Sequence, residues 1–256
     1  LGLRPHAKTH RSAEIGRMQI EAGAVGLCCQ TLAEAEAMVR GGVPDVLITN
    51  QIVGPARLAR VAALAGRARV GLCLDDPAAV APLSAAAVGA GNTLDAYVEI
   101  EVGMRRCGVA PGAPAAALAR AVEAAPGLRF AGLQAYHGAA QHLRDPAERG
   151  AAVGAAAAAV RETLAALEAA GLACPVIGGA GTGSFALEAA TGLWTELQCG
   201  SYAFMDADYR DVADAPGGGP QGFEHALFLL AEVISTPAPG RAVCNVGLKA
   251  AAMDSG

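Results

Sequence analysis

Eight short apolar runs, each followed by a longer and mostly Ala-rich stretch, fill the chain up to about residue 200, and this alternation limits the fold more than any single motif. The runs cover residues 1–8, 24–29, 45–50, 68–74, 94–101, 128–137, 175–179 and 195–200. A strand that is apolar on both faces needs cover on both faces, which strands separated by helices obtain in a parallel sheet. The intervening stretches carry helix signals. Thr31-Leu32-Ala33-Glu34 and Asp145-Pro146-Ala147-Glu148 have N-capping chemistry, the second with Pro at the first helical position. Gly23, Gly41, Gly42, Gly66, Gly91, Gly127 and Gly171 mark helix ends. Eight such units predict a closed (β/α)8 barrel, a TIM barrel, rather than an open doubly wound sheet.

The pattern changes after Tyr209. Residues 214–220 read as a linker, and residues 226–235 and 241–251 as two extended segments with no helix between them. This predicts a barrel over residues 1–220 and, over 221–256, the beginning of a mainly β domain that two strands alone do not complete. The chain opens at Leu1 without Met and stops at Gly256, which reads as a fragment. Its net charge of −5, with no basic run, argues against nucleic acid or an anionic membrane as a partner. Gly, Pro and charges interrupt the apolar stretches, so none is expected to reach the ~20 residues that cross a bilayer. The seven Cys residues are odd in number, form no C-x-x-C pair and lie mostly in apolar runs. They read as reduced thiols of a cytoplasmic protein rather than as disulfides or a zinc site.

In such a barrel, chemistry collects at the C-terminal ends of the strands. The first run ends in Arg4-Pro-His-Ala-Lys-Thr-His10, where strand alternation puts His6, Lys8 and His10 on one face. The chain has only two lysines, Lys8 and Lys249. A lysine aimed into an apolar barrel is costly unless paired or used. The bland alternative is that Lys8 has already left the strand for solvent. The seventh run ends in Gly178-Gly-Ala-Gly-Thr-Gly-Ser184 and the eighth in Gly200-Ser201-Tyr202. Glycines there let backbone N–H groups reach an anion, and Thr and Ser add donors. The run does not fit G-x-G-x-x-G, because residue 184 is Ser, and this disfavours a dinucleotide. Closure brings the eighth unit beside the first, so a phosphate cradle next to an inward lysine fits pyridoxal phosphate held as a Schiff base. Gln30, Glu99, Glu101, Arg105, Arg106, Tyr136, His137 and His142 are further polar groups near strand ends, each with an ordinary structural reading as well.

Six ordered motifs carry a resemblance that spans nearly the whole chain. They are Arg4-Pro-His-Ala-Lys-Thr-His10, Cys28-Cys-Gln-Thr31, residues 98–108 (VEIEVGMRRCG), Gln134-Ala-Tyr-His-Gly138, Gly178-Gly-Ala-Gly-Thr-Gly183 and residues 196–209 (ELQCGSYAFMDADY). Together they resemble the D-threonine aldolase and D-serine dehydratase-like enzymes, fold-type III proteins that bind pyridoxal 5'-phosphate, and are most similar to the 3-hydroxy-D-aspartate aldolase branch. The resemblance implies an alanine-racemase N-terminal type barrel with Lys8 as the Schiff-base lysine. It implies cofactor contacts from Gln30, Thr182, Gly200, Ser201 and Tyr209, of which Thr182, Gly200 and Ser201 take the phosphate, with Arg106 and Tyr136 near the pyridine ring. It also implies a divalent metal (Mn, Mg or Zn) in the full-length protein, on a His and an Asp or Cys that no residue of this chain matches, and a homodimer. Departures from the family pattern occur at Arg11, usually Lys, and at Cys244-Asn245, usually Asp and a small residue. Asn245 is expected to weaken the dimer or barrel contact made there.

The function expected from the resemblance is retro-aldol cleavage of small β-hydroxy-D-amino acids to glycine and an aldehyde, with the present residues inactive on their own. The alternatives are an ammonia-lyase acting on D-serine or 3-hydroxyaspartate, then a barrel that carries the cofactor without catalysis, then a racemase.

Overall fold

The structure is a computed structural model that describes residues 1–212, 222–247 and 250. Strands and helices alternate from the start. They run β1 (Gly2–Leu3), α1 (Ala13–Glu21), β2 (Leu27–Cys29), α2 (Leu32–Arg40), β3 (Asp45–Ile48), α3 (Pro55–Leu64), β4 (Arg69–Leu74) and α4 (Val80–Gly89). Then come β5 (Leu94–Glu99), α5 (Ala113–Glu123), β6 (Leu128–Ala135), α6 (Pro146–Ala169), β7 (Val176–Gly179), α7 (Phe185–Ala190), β8 (Glu196–Leu197) and α8 (Ala207–Arg210). All eight strands pair in parallel in the order β1-β8-β7-β6-β5-β4-β3-β2. A bridge between His6 and Cys28, with hydrogen bonds from Val25 N to Leu3 O and from Cys28 N to Pro5 O, joins β1 to β2 and closes the circle. The expected barrel is therefore present, with β1 and β8 shorter than their apolar runs.

Local chemistry explains the helix starts. Thr31 accepts a hydrogen bond from Glu34 N, while the Glu34 carboxylate accepts from Gln30 N, and Asp145 accepts from Ala147 N and Glu148 N. Burial arises in two layers. The large core between strands and helices includes Leu27, Ile48, Leu72, Leu94, Val98 and Leu133. Inside the barrel sits a smaller cluster of Cys28, Leu47, Cys73, Tyr97 and Ala131. Gly71 makes room for it, because a Cβ there would come within 2.9 Å of the Tyr97 ring.

Below that cluster, at the N-terminal ends of the strands, lies a balanced ionic layer. Arg4 bridges Asp45 and Glu196, and Asp95 holds both Arg69 and Arg129. Gly26 admits the Arg4 guanidinium, which a Cβ would strike. Above the cluster the inward positions become polar. On β6 a bulge inserts a residue: Ala96 faces Phe130, but Tyr97 faces Gly132, whose φ is +148°. Without this bulge, Ala131 in the interior cluster and Gln134 above it could not share one face.

Two boundaries differ from the sequence reading. β9 (Val233–Ala238) and β10 (Arg241–Cys244) form an antiparallel hairpin, so residues 226–232 are not strand and β9 runs past Ser235. The reversal is set by Pro239-Gly240, with Gly240 at φ +75°. At the base of the hairpin Asn245 exchanges two hydrogen bonds with Glu232. α6 is 24 residues long and, by length and composition, apolar enough to cross a bilayer, which the expectation of interrupted runs missed. Gly150 and Gly154 do not break it, and Val153, Ala157, Val160 and Leu167 are buried in the protein. The linker over residues 214–220, with the expected domain boundary at 220, and Lys249 lie outside the described residues.

Candidate active site

A pocket opens at the C-terminal ends of the strands, where the barrel's inward positions turn polar. Lys8, Gln30, Arg106, Tyr136, Thr182, Gly200, Ser201 and Tyr209 all line it, so the structure brings the eight residues singled out from sequence to one place. His6, Thr49, Gln134, Gly181 and Gln198 complete the wall. Of these, Thr49, Gln134, Gly181 and Gln198 were not singled out as site residues. Thr49 lies in none of the six motifs, and the period-2 spacing Asp45-Leu47-Thr49 was the signal available for it; Gln134, Gly181 and Gln198 lie inside motifs but were given no role of their own.

The Lys8 segment is not a continued strand. Hydrogen bonds from Thr9 N to His6 O and from Arg11 N to Ala7 O wind residues 7–10 into a turn. Alternation therefore fails beyond Lys8: His6 and Lys8 line the pocket, whereas His10 faces away, its Nδ1 accepting from Ser12 N at 3.1 Å. His6 is held from both sides. Its Nδ1 accepts from Lys8 N at 3.3 Å, and its Nε2 lies 3.0 Å from Thr49 Oγ1, whose hydroxyl donates to Cys29 O. This pattern requires the neutral imidazole with the proton on Nε2. Burial, then the charges of Lys8 and Arg106, push its pKa well down, in agreement. Lys8 Nζ lies 6.0 Å and Arg106 Cζ 5.7 Å from the centroid of the Tyr136 ring. Lys8 is exposed as a residue, at the mouth of the pocket, yet partial desolvation of its amine, followed by the positive charge of Arg106, lowers its pKa and so shifts it toward the nucleophilic neutral amine.

Opposite the lysine stand the loops after β7 and β8. Ala180 has φ +66°, a left-handed conformation costly for a residue with a Cβ. Thr182 Oγ1 accepts from Tyr202 N at 3.0 Å, which leaves its own proton to donate into the pocket. Among the described residues, the N–H groups of Gly181, Thr182, Gly200 and Ser201 donate to no protein acceptor. Gly200 packs against the lysine turn, since a Cβ there would approach Thr9 Oγ1 at 2.8 Å and His6 O at 3.0 Å. Four backbone donors and two hydroxyls at one wall fit a phosphate group, and an amine of lowered pKa in the same pocket fits an aldehyde. This donor set suits pyridoxal phosphate.

The remaining walls are braced from behind. Glu99 lies 3.6 Å from Arg106 and accepts from Gln51 Nε2 at 2.6 Å; burial raises its pKa. Gln134 and Gln198 exchange two amide hydrogen bonds, at 2.7 and 2.9 Å. Burial raises the pKa of both Tyr136 and Tyr209. At the rim His142 Nδ1 lies 2.6 Å from Asp208, with its ring against Tyr209. Glu101, expected on the face of Glu99, turns instead to the backbone of Gly103, because β5 ends at Glu99. Among the described residues, no group of three or more His, Cys, Asp or Glu side chains could hold a metal ion, so this part of the chain does not fit the divalent metal.

Comparison with known proteins agrees with this geometry. The family model described as alanine racemase, N-terminal domain, matches residues 3–208, and that of a putative serine dehydratase domain matches residues 226–256. A D-threonine aldolase of Arthrobacter sp is 44% identical over 100% of this chain and 67% of its own length. A 3-hydroxy-D-aspartate aldolase of Paracoccus denitrificans (strain Pd 1222) is 48% identical over 99% of this chain and 66% of its own. The crystal structure of D-threonine aldolase from Filomicrobium marinum superposes with a TM-score of 0.93 at 51% identity, covering 97% of this chain and 67% of that one. The chain thus spans about two thirds of the length of these relatives. With the barrel, the ordered motifs and these similarities in agreement, the chain belongs to the D-threonine aldolase and D-serine dehydratase-like family of alanine-racemase-type barrels.

Proposed function

We propose that this chain carries pyridoxal 5'-phosphate on Lys8 and supplies the cofactor-binding part of a lyase that cleaves β-hydroxy-D-amino acids of the D-threonine or 3-hydroxy-D-aspartate type to glycine and an aldehyde. The observation that carries the reading is the placement of the Lys8 amine, with its lowered pKa, in one pocket with the donor-rich loops after β7 and β8. Thr182, Gly200 and Ser201 would hold the phosphate, with Gln30, Tyr209, Arg106 and Tyr136 lining the rest of the same pocket and available to the ring. When bound, the cofactor supplies an aldehyde that condenses with amines and a conjugated ring that takes up the electron pair left on Cα as the Cα–Cβ bond breaks. The protein's part is to orient that bond, to exclude water and to manage two protons, one leaving the β-hydroxyl and one returning to Cα. Lys8 Nζ, its pKa lowered, would be placed to take up and return a proton in the pocket. In the whole protein we expect a cytoplasmic homodimer; the seven unpaired thiols support a reducing compartment.

The test is product analysis on D-threonine, D-serine and 3-hydroxy-D-aspartate with a divalent metal present. Glycine with aldehyde supports the proposal. Oxo acid with ammonia overturns it in favour of an ammonia-lyase, a reading that the serine dehydratase match over residues 226–256 favours second. Lys8→Ala is expected to abolish the borohydride-trapped cofactor adduct, and an adduct that persists would remove Lys8 from its role.

A further inference from the structure

The glycine-rich turn at the phosphate wall does not hold itself in shape. Gly178, Gly179, Gly181 and Gly183 leave its backbone few conformational preferences, and Ala180 sits in the left-handed region at φ +66°. What holds it comes from another loop. Gln141, completely buried, stands on the short helical turn Ala139–His142 that follows β6. Its amide oxygen accepts from Gly183 N at 2.9 Å, and its nitrogen donates to Ser184 Oγ at 2.6 Å and to His137 O at 3.2 Å. Ser184 in turn donates to the buried Glu188 at 2.8 Å. The fit is also steric. A Cβ on Gly181 would come within 2.5 Å of the Gln141 amide oxygen, and one on Gly183 within 2.3 Å of its carbonyl oxygen. The two glycines therefore let the turn lie flat on Gln141, with Gly181 and Thr182 facing the pocket.

We infer that Gln141 is a positioning residue that presets the turn for a phosphate, and so sets the preference of the site for a phosphorylated over an unphosphorylated pyridoxal. The inference rests on the reading above that this pocket holds pyridoxal phosphate. Neutral hydrogen bonds of this kind act by removing the conformational freedom that the turn would otherwise lose on binding. They act only on the part of the ligand that touches the turn.

The experiment titrates the chain with pyridoxal 5'-phosphate and separately with pyridoxal, reading adduct absorbance and trapping on Lys8 with borohydride. In Gln141→Ala, and in Gln141→Met, which keeps the volume under the glycines, the ratio of the two affinities is expected to fall about tenfold toward that of the bare aldehyde. Ser184→Ala should shift the ratio in the same direction by less. A ratio held within about twofold in both Gln141 variants overturns the inference, even if both affinities drop, because an equal loss is what general destabilisation produces. A wild-type chain that forms no Lys8-dependent adduct with either compound defeats the pocket reading, and this inference with it; that result is visible before any Gln141 variant is made.

Discussion

At the closed end of the barrel Arg4 meets Asp45 at 2.5 Å and Glu196 at 2.7 Å, while Asp95 takes Arg69 and Arg129 at 2.6 and 2.5 Å. At the open end Lys8 and Arg106 both approach the Tyr136 ring, and the one carboxylate paired with Arg106, Glu99, is 3.6 Å away. The two layers are built on the same strands, two pleats apart, with opposite policies. Three arginines and three carboxylates neutralise each other at the base, which stabilises closure and leaves no charge to use. Positive charge at the top is under-compensated, which suits an anionic ligand and lowers the pKa of the lysine. Backbone strain follows the same division. All four non-glycine residues with positive φ among the described residues (Arg11, Arg105, Ala180 and Met205) lie in loops that follow strand ends on the open side.

Substitutions can break this contrast, beginning with the base. Arg4→Met leaves Glu196 and Asp45 without their buried partner and is expected to cost about 3–5 kcal/mol in denaturant unfolding. The same change should leave the trapped Lys8 adduct intact wherever the protein remains folded; loss of the adduct in folded protein would show that the two ends are not separate. Next is Glu188, whose carboxyl is pushed up to about 7 by burial, against an ordinary 4.5. A raised carboxyl stabilises the fold fully below pH 4.5, and this contribution is lost as pH rises through about 7. Glu188→Gln should therefore flatten the stability–pH curve between those limits by roughly 3 kcal/mol, and an unchanged curve would place the titration elsewhere. Thr182→Ala is expected to weaken pyridoxal phosphate binding by about tenfold, near 1.4 kcal/mol, and, by taking the acceptor from Tyr202 N, to cost about 1 kcal/mol in unfolding. The smallest effect is Ala180→Gly, which relieves left-handed strain and should raise stability by no more than about 1 kcal/mol, while Ala180→Val lowers it.

The open end was far more legible in the sequence than the base. Lys8, Thr182 and Ser201 stand in contiguous motifs at the ends of apolar runs, where local signals coincide with fold position. Arg4, Asp45, Arg69, Asp95, Arg129 and Glu196 come from six different strands, and only the register of a closed sheet assembles them. Gln141 was invisible for a related reason. Its neighbours Gly183 and Ser184 are more than forty positions away, and a buried glutamine in a loop has no sequence signature. His10 was misplaced because a strand's alternation was carried into a turn, and a period carries no notice of where it stops.

The bulge on β6 has a consequence of its own. Along that strand the side chains are read in two frames, one up to Ala131 and another from Gln134 onward, with Gly132 as the shift between them. Pairing the same residues without the bulge would carry the frame of Ala131 to the end of the strand and bring Leu133 and Ala135 to the interior. Such a barrel could still close and bury apolar surface. It would, however, have turned Gln134 and Tyr136 out of the pocket, so one bulge separates a barrel that merely folds from one with a polar wall at its pocket.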